Sequence, residues 1–148
     1  MDIRIRELER SDLHYAAELD RRAFEDGWSE KMLSAELEKD FAYYFAAEDG
    51  GGLLGFAGVW CVYETADVAR IAVEPSTRRR GIGEALMRAL IEKAGEKGCC
   101  RMMLEVDETN SAAGSMYRKL GFTEIDLRKN YYGEHSAVIM ELNLIEGN

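Results

Sequence analysis

Proline is almost absent from this chain of 148 residues, and Pro75 is its one representative. No Pro- or Ser-rich stretch and no internal repeat divides the sequence, so one domain spanning 1–148 is expected, long enough to bury a core without disulfides or metal. No apolar run approaches the roughly 20 residues that a membrane span needs. The first residues, Met1-Asp-Ile-Arg-Ile-Arg-Glu7, alternate like a strand and lack the apolar stretch of a signal peptide, so a cytoplasmic protein without membrane contact is expected. Histidine is scarce too, with His14 and His135 far apart and no ligand-spaced partners near either. The three cysteines, Cys61, Cys99 and Cys100, form no C-x-x-C pair and sit in apolar, strand-like segments, where a thiol behaves as a small buried hydrophobe. No metal is expected, because a zinc site would have to be assembled from carboxylates alone. Basic residues are outnumbered by acidic ones, 19 to 28, for a net charge of −9. That balance argues against a nucleic-acid partner, whose recognition rests largely on cations placed against phosphates.

Against this acidic background, Arg78, Arg79 and Arg80 stand consecutively in the run Ile71-Ala-Val-Glu-Pro-Ser-Thr-Arg-Arg-Arg-Gly-Ile-Gly83. Beyond the glycines, Ile82, Ala85, Leu86, Ala89, Leu90 and Ala94 recur at the spacing of one helical face, so Gly81 and Gly83 stand where a helix begins. Glycine leaves the first backbone N–H groups of such a helix unshielded, and the positive end of the helix dipole favours an anion there. The segment therefore suits a pyrophosphate, with a plain basic surface turn as the alternative. It lacks the Gly-Lys-Ser/Thr of a P-loop and the third glycine and distant acid of a dinucleotide fingerprint, which disfavours a nucleoside triphosphate.

Periodicity and punctuation give a coarse element order. A strand over Ile3–Glu7 is followed by helices over Asp12–Phe24 and Ser29–Glu38, the second capped by Ser29. Strands at Phe41–Glu48 and Leu53–Tyr63 flank Asp49-Gly-Gly-Gly52, a hairpin sequence. A strand over Asp67–Val73 stops at Pro75. A helix over Gly81–Lys97 ends at Gly98, suited to a left-handed C-cap. Then come a strand over Cys99–Val106, a short helix from the cap Asn110 to Leu120 closed by Gly121, and strands over Phe122–Leu127 and Ser136–Leu144. The expectation is an α/β domain with a mixed, mostly antiparallel sheet flanked by helices.

In Cys99-Cys-Arg-Met-Met-Leu-Glu-Val106, alternation puts Glu105 on a strand face beside Met103. A carboxylate in a largely buried strand is costly to ionise, so a raised pKa suited to accepting a proton is expected of Glu105, the alternative being an ion pair with Arg101 on the same face. In the next helix Asn110, Ala113, Tyr117 and Leu120 fall on one stripe. Tyr117 could place its hydroxyl in a cleft as a proton donor, or pack in the core with that hydroxyl satisfied. Gly114, costly inside a helix, suggests the close approach of another group.

The runs Ile71-Ala-Val-Glu-Pro75, Arg78-Arg-Arg-Gly-Ile-Gly83, Leu104-Glu-Val106, Thr109-Asn-Ser-Ala-Ala113, Met116-Tyr117 and Leu120-Gly-Phe122 together resemble the Gcn5-related N-acetyltransferases, over nearly the whole chain. Trp28-Ser29, Glu105 and Arg128-Lys-Asn-Tyr-Tyr132 are similar to the ribosomal-protein-alanine subfamily. The resemblance implies the GNAT-type acyl-CoA N-acyltransferase fold, with acetyl-CoA as cosubstrate in a V-shaped opening between the strand ending at Val73 and the strand bearing Glu105. It implies cofactor contacts along Ile71, Ala72 and Val73, with main-chain bonds from Ile71 and Val73. Arg78, Arg79, Arg80, Gly81, Ile82, Gly83 and Glu84 would surround the pyrophosphate, and Asn110 and Tyr117 would reach the CoA arm. By the same resemblance Glu105 is the general base, Tyr117 the general acid for the CoA thiolate, and the acceptor amine attacks directly. The acceptor would be the N-terminal peptide of a protein, a ribosomal protein by resemblance, with Trp28, Asp107, Tyr131 and Tyr132 on its side of the site.

Two positions depart from the subfamily pattern. Gly27 stands where proline is usual before Trp28, which would loosen the helix start. Asp107 stands where arginine usually follows Leu-Glu-Val, which adds negative charge near the amine and suggests acceptors with a basic residue near their N-terminus. Trp28, Tyr131 and Tyr132 favour a peptide groove, while acetylation of lysine or a small amine, or a non-catalytic acyl-CoA-binding module, are the other readings.

Overall fold

The computed structural model describes residues 2–77 and 81–145, and of residues 130–132 the backbone alone. Its sheet has seven strands in the order β1-β2-β3-β4-β5-β7-β6. They are β1 (Arg4–Glu7), β2 (Ala42–Glu48), β3 (Leu53–Val62), β4 (Thr65–Val73), β5 (Arg101–Asp107), β6 (Thr123–Tyr132) and β7 (His135–Asn143). The helices are α1 (Leu13–Ala23), α2 (Glu30–Leu37), α3 (Ile82–Glu96) and α4 (Ser111–Lys119). Each neighbouring pair of strands is antiparallel except β4 and β5, which run parallel because α3 carries the chain across between them.

Local chemistry accounts for the helix ends. The Ser29 side chain accepts from the Met32 N–H at 3.2 Å, and Asn110 Oδ1 accepts from the Ala113 N–H at 3.2 Å, so each satisfies a donor that the first turn leaves unpaired. Gly98 follows α3 with φ 81°, the left-handed conformation that stops the helix. Between β2 and β3, Gly50 and Gly52 adopt positive φ, while Asp49 Oδ1 accepts from the Gly51 N–H at 2.9 Å. Two elements run longer than their sequence suggested. β4 begins at Thr65 because Tyr63, at φ 54°, makes a two-residue turn with Glu64 that keeps Val62 paired with Thr65. β6 continues from Thr123 to Tyr132, its later half paired on β7 although its residues do not alternate.

The two faces of the sheet are covered by different helices. On one, α3 and α4 bury Leu86, Leu90, Tyr117 and Phe122 with Ala57, Met102, Leu104 and Met140. On the other, α1 and α2 bury Leu13, Leu19 and Leu33 with Tyr44, Ala46, Phe56 and Ala72. The Tyr44 ring occupies the place a side chain at Gly58 would need, 2.2 Å from an added Cβ. Truncating a core leucine such as Leu86 would cost about 2–5 kcal/mol. α1 packs on β3 and β4, and α2 on β2, so the same face of β5 lies beyond their main contacts. No helix among the described residues is long and apolar enough to cross a membrane. Cys99 is buried, Cys61 and Cys100 are half-buried, and the Cys61 thiol is pushed up to about 12 by burial and then by the neighbouring Cys99.

Candidate active site

The sheet opens where its two halves meet. β4 and β5 pair at Thr65 with Arg101, Ala66 with Met102 and Asp67 with Met103, and then part. The next residues of β4 explain the parting: Val68 pairs with Val59 but Arg70 with Gly58, leaving Ala69 as an extra residue that bends the strand. β4 stays with β3 as far as Val73, while β5 stays with β7 along its whole length. The Glu74 N–H donates to the Leu54 carbonyl at 2.8 Å, and the Ala72 carbonyl lies 2.8 Å from where a Cβ of Gly55 would stand, so both residues aim at β3. By alternation the main-chain groups of Ile71 and Val73 aim into the opening. Ala72 does not: its main chain serves β3 and its side chain lies in the core, which corrects its expected contact with a cofactor.

At the open end of β4 stands the first turn of α3. Gly81 is its N-cap with φ 80°, no side chain caps the turn, and the first main-chain bond is from the Ala85 N–H to the Gly81 carbonyl. An added Cβ on Gly81 would meet nothing within 4 Å, so the backbone conformation, not packing, calls for glycine. The N–H groups of Ile82, Gly83 and Glu84 thus head a 15-residue helix whose dipole favours an anion. Gly83 lies between Val73 and Met116, its missing Cβ 3.8 Å and 3.4 Å from their side chains, which gathers β4, α3 and α4 at one point. Ile82 is buried, so its contribution is confined to the main chain. Glu84 bonds Lys119 Nζ and Arg88 Nη2, each at 2.9 Å, which ties α3 to α4 and holds its carboxyl below the usual range, Lys119 first. Arg78, Arg79 and Arg80 lie outside the described residues.

Tyr117, next to Met116 on α4, is 5% exposed, its ring edge-on to Phe122 at 5.9 Å between centroids. Burial pushes its phenol up to about 12. Asn110 uses Oδ1 as the cap of α4, which leaves its amide N–H groups for any further contact. The close approach inferred for Gly114 comes from its own helix: a Cβ there would stand 3.2 Å from the guanidinium of Arg118.

Glu105 differs from its expectation. Its neighbours Met102 and Leu104 are buried on the α3 side, but Glu105 is exposed on the other face, beyond the main cover of α1 and α2. The burial expected from its apolar neighbours is therefore absent. Nor is Arg101 its ion-pair partner by geometry, since four strand residues separate the two by about 13 Å. Arg101 lies 4.0 Å from Glu141 instead.

Asp107, at the end of β5, accepts from the Thr109 N–H at 2.9 Å and hydroxyl at 2.8 Å, and its second oxygen lies 3.1 Å from His135 Nδ1. These bonds, the Thr109 backbone first, hold its carboxyl below the ordinary range. Asp107 thereby pins the β6–β7 hairpin to β5, assisted by the Ser136 N–H on Glu108 at 3.0 Å. Tyr131 and Tyr132 lie on that hairpin, their side chains outside the described residues.

Trp28 is half-buried in the α1–α2 connection, and its N–H donates to Asp20 at 2.6 Å. Gly27 is closely packed in this segment. An added Cβ would stand 2.8 Å from the Arg21 Cα, so glycine is what lets the connection lie against α1. Sequence reasoning passed over Arg70, whose Nε and Nη2 bond the two oxygens of Asp20 at 3.1 Å and 2.6 Å. The available signals were one cation in an apolar strand and one acid beside Leu19 on the buried stripe of α1.

The arrangement offers an extended main-chain edge and an uncapped helix start on one side of the opening, a buried phenol on α4, and an exposed carboxylate on the other face. Among the described residues no three His, Cys, Asp or Glu side chains gather as metal ligands.

Residues 13–122 match the acetyltransferase (GNAT) family. The [ribosomal protein bS18]-alanine N-acetyltransferase of Escherichia coli K12 is 35% identical over 142 residues, which cover 93% of this chain and 95% of that one. The crystal structure of the ribosomal-protein-S18-alanine N-acetyltransferase from Escherichia coli superposes with a TM-score of 0.89 at 32% identity, covering 99% of this chain and 97% of that one. An N-acetyltransferase from Thermoplasma acidophilum, solved in complex with coenzyme A, shares the fold at a TM-score of 0.82 and 23% identity, covering 97% and 99% of the two chains.

Proposed function

The chain belongs to the acetyltransferase (GNAT) family, and from that premise we propose that it transfers an acetyl group from acetyl-CoA to the N-terminal α-amino group of a protein, with the alanine of ribosomal protein bS18 as the leading acceptor. The observation that carries this reading is the parting of β4 and β5 beside the uncapped start of α3. Extended main chain at Ile71 and Val73 suits the amide-bearing pantetheine arm, and the amides at 82–84 suit its diphosphate. Acetyl-CoA, when bound there, supplies the activated acyl carbon and a thiolate leaving group.

Glu105 takes a proton from the acceptor ammonium, directly or through water, on the exposed face of β5. An α-amino group titrates near pH 8, so about one-tenth of the acceptor is already neutral at pH 7 and the base serves the remainder. Tyr117, buried on the opposite face and keeping its proton up to about pH 12, protonates the departing sulfur. Base and acid thus stand on the two faces that the opening joins, and the amine attacks without an acyl-enzyme. Trp28, Tyr131, Tyr132 and Asp107 border the acceptor side, where the fixed negative charge of Asp107 favours a basic residue near the acceptor's N-terminus.

The test is a panel of peptides beginning with Ala or Ser, paired so that members differ in one basic residue, incubated with acetyl-CoA and read by mass spectrometry. N-terminal acetylation of Ala-starting peptides is expected, faster for the basic members. Modification confined to lysine side chains would refute the acceptor assignment, and equal initial rates within pairs would refute the charge preference.

A further inference from the structure

One half-buried cation, paired with a buried acid, fastens the α1–α2 connection to the strand that borders the opening. Asp20 is 0% exposed, and Arg70 meets it with a two-point fork, Nε to Oδ1 at 3.1 Å and Nη2 to Oδ2 at 2.6 Å. The same guanidinium donates to the Asp26 carbonyl at 3.3 Å. Its central carbon lies 3.9 Å from the Phe24 ring centre and 4.7 Å from that of Trp28. Asp20 also accepts from the main-chain N–H of Trp28, so cation, acid, connection and both rings form one unit. That unit belongs to the α1 and α2 face of the sheet, the face to which alternation assigns Glu105. Arg70 directly precedes Ile71, whose main chain turns into the opening.

Resting on the acetyl-transfer reading above, we propose that Arg70 is a positioning residue for the acceptor. It holds residues 24–28 so that Phe24 and Trp28 form the wall against which the first residues of the acceptor peptide lie. A planar guanidinium can bond both oxygens of Asp20 and stack on two rings at once, whereas a lysine ammonium is a point charge that can do one or the other. Phe24 is 38% exposed, so part of its ring remains available for contact. Because Arg70 acts through the connection, its loss weakens acceptor binding and leaves the coenzyme side, on the other strand edge and α3, as it was.

The test compares wild type with Arg70→Lys, Arg70→Gln and Phe24→Ala, varying peptide and acetyl-CoA separately, with calorimetry of coenzyme A on the same samples. The expected result is a peptide KM raised about ten-fold or more in all three, with acetyl-CoA KM and coenzyme A affinity within about two-fold of wild type. An unchanged peptide KM in a folded Arg70 variant of lower Tm would assign the pair a structural role alone and overturn the proposal. A parallel loss of coenzyme A affinity would overturn it as well. If Arg70→Gln does not fold, Phe24→Ala decides, since it removes a part-exposed ring and keeps the ion pair. Wild-type transfer to the peptide, measured alongside, separates a failure of this inference from a failure of the underlying activity.

Discussion

Replacing Glu105 by glutamine separates catalysis from architecture, because the two roles make opposite demands on an exposed side chain. Glutamine keeps the shape and gives up the ability to accept a proton. With Glu105 outside the core, the variant should melt within about 2 °C of wild type, the usual outcome for a surface substitution in a domain of this size. A general base contributes about 10²–10⁴-fold, and the lower end applies here because about one-tenth of an α-amino group of pKa near 8 is already neutral at pH 7. The expected fall in kcat at pH 7 is therefore about 10²-fold. Raising the pH to 9 neutralises most of the amine without help, so the deficit should shrink by up to about ten-fold. Thiol release from acetyl-CoA gives the rates, coenzyme A calorimetry shows whether the donor side is intact, and a thermal melt reports the fold. A kcat within three-fold of wild type at pH 7, or a melting point lowered by more than about 5 °C, would refute the assignment of Glu105 as base.

Tyr117→Phe preserves the ring against Phe122, so kcat should fall about 10²-fold with coenzyme A affinity kept, and unchanged turnover would remove Tyr117 from the mechanism. Its phenol titrates higher in the folded protein, near 12, than in the unfolded chain, near 10. The stabilisation this carries is intact below pH 10 and is lost as pH rises from 10 towards 12, about 2–3 kcal/mol in all, and denaturant titrations should show a shallower alkaline decline in Tyr117→Phe. Gly81→Ala meets no atom but forces alanine into φ 80°, which should cost about 1–2 kcal/mol and lower Tm by roughly 2–8 °C, with weaker coenzyme A binding; an unshifted Tm would contradict the backbone argument. Gly27→Ala puts a Cβ 2.8 Å from the Arg21 Cα and should destabilise by about 1–3 kcal/mol while raising peptide KM, and a neutral result by melting and kinetics would count against the close fit.

The legible parts of the fold were those written within a few residues. Ser29 and Asn110 cap the helices that follow them because a hydroxyl or amide oxygen placed before an apolar repeat has backbone N–H groups in reach. Gly81 and Gly98 mark the two ends of α3, and the element order follows from apolar period together with caps and turn residues. The turn at Tyr63 escaped because its residue type gives no sign of the positive φ that strand pairing imposes. Glu105 was read on the right strand with the wrong surroundings. Alternation assigns a side chain to a face, but whether a helix covers that face depends on where α1 and α2 come to rest.

The sequence by itself determined which elements form, where they stop, and that a glycine-led helix start follows an extended edge. Tertiary structure decided that β4 bends away from β5 at Ala69, that Glu105 meets solvent, that Gly27 must be bare beside Arg21, and that Arg70 finds Asp20 fifty residues away. The division has one physical cause. Caps, turns and periodicity arise from bonds within a turn or two, whereas burial and ion pairing arise from surfaces that meet after the chain has closed on itself.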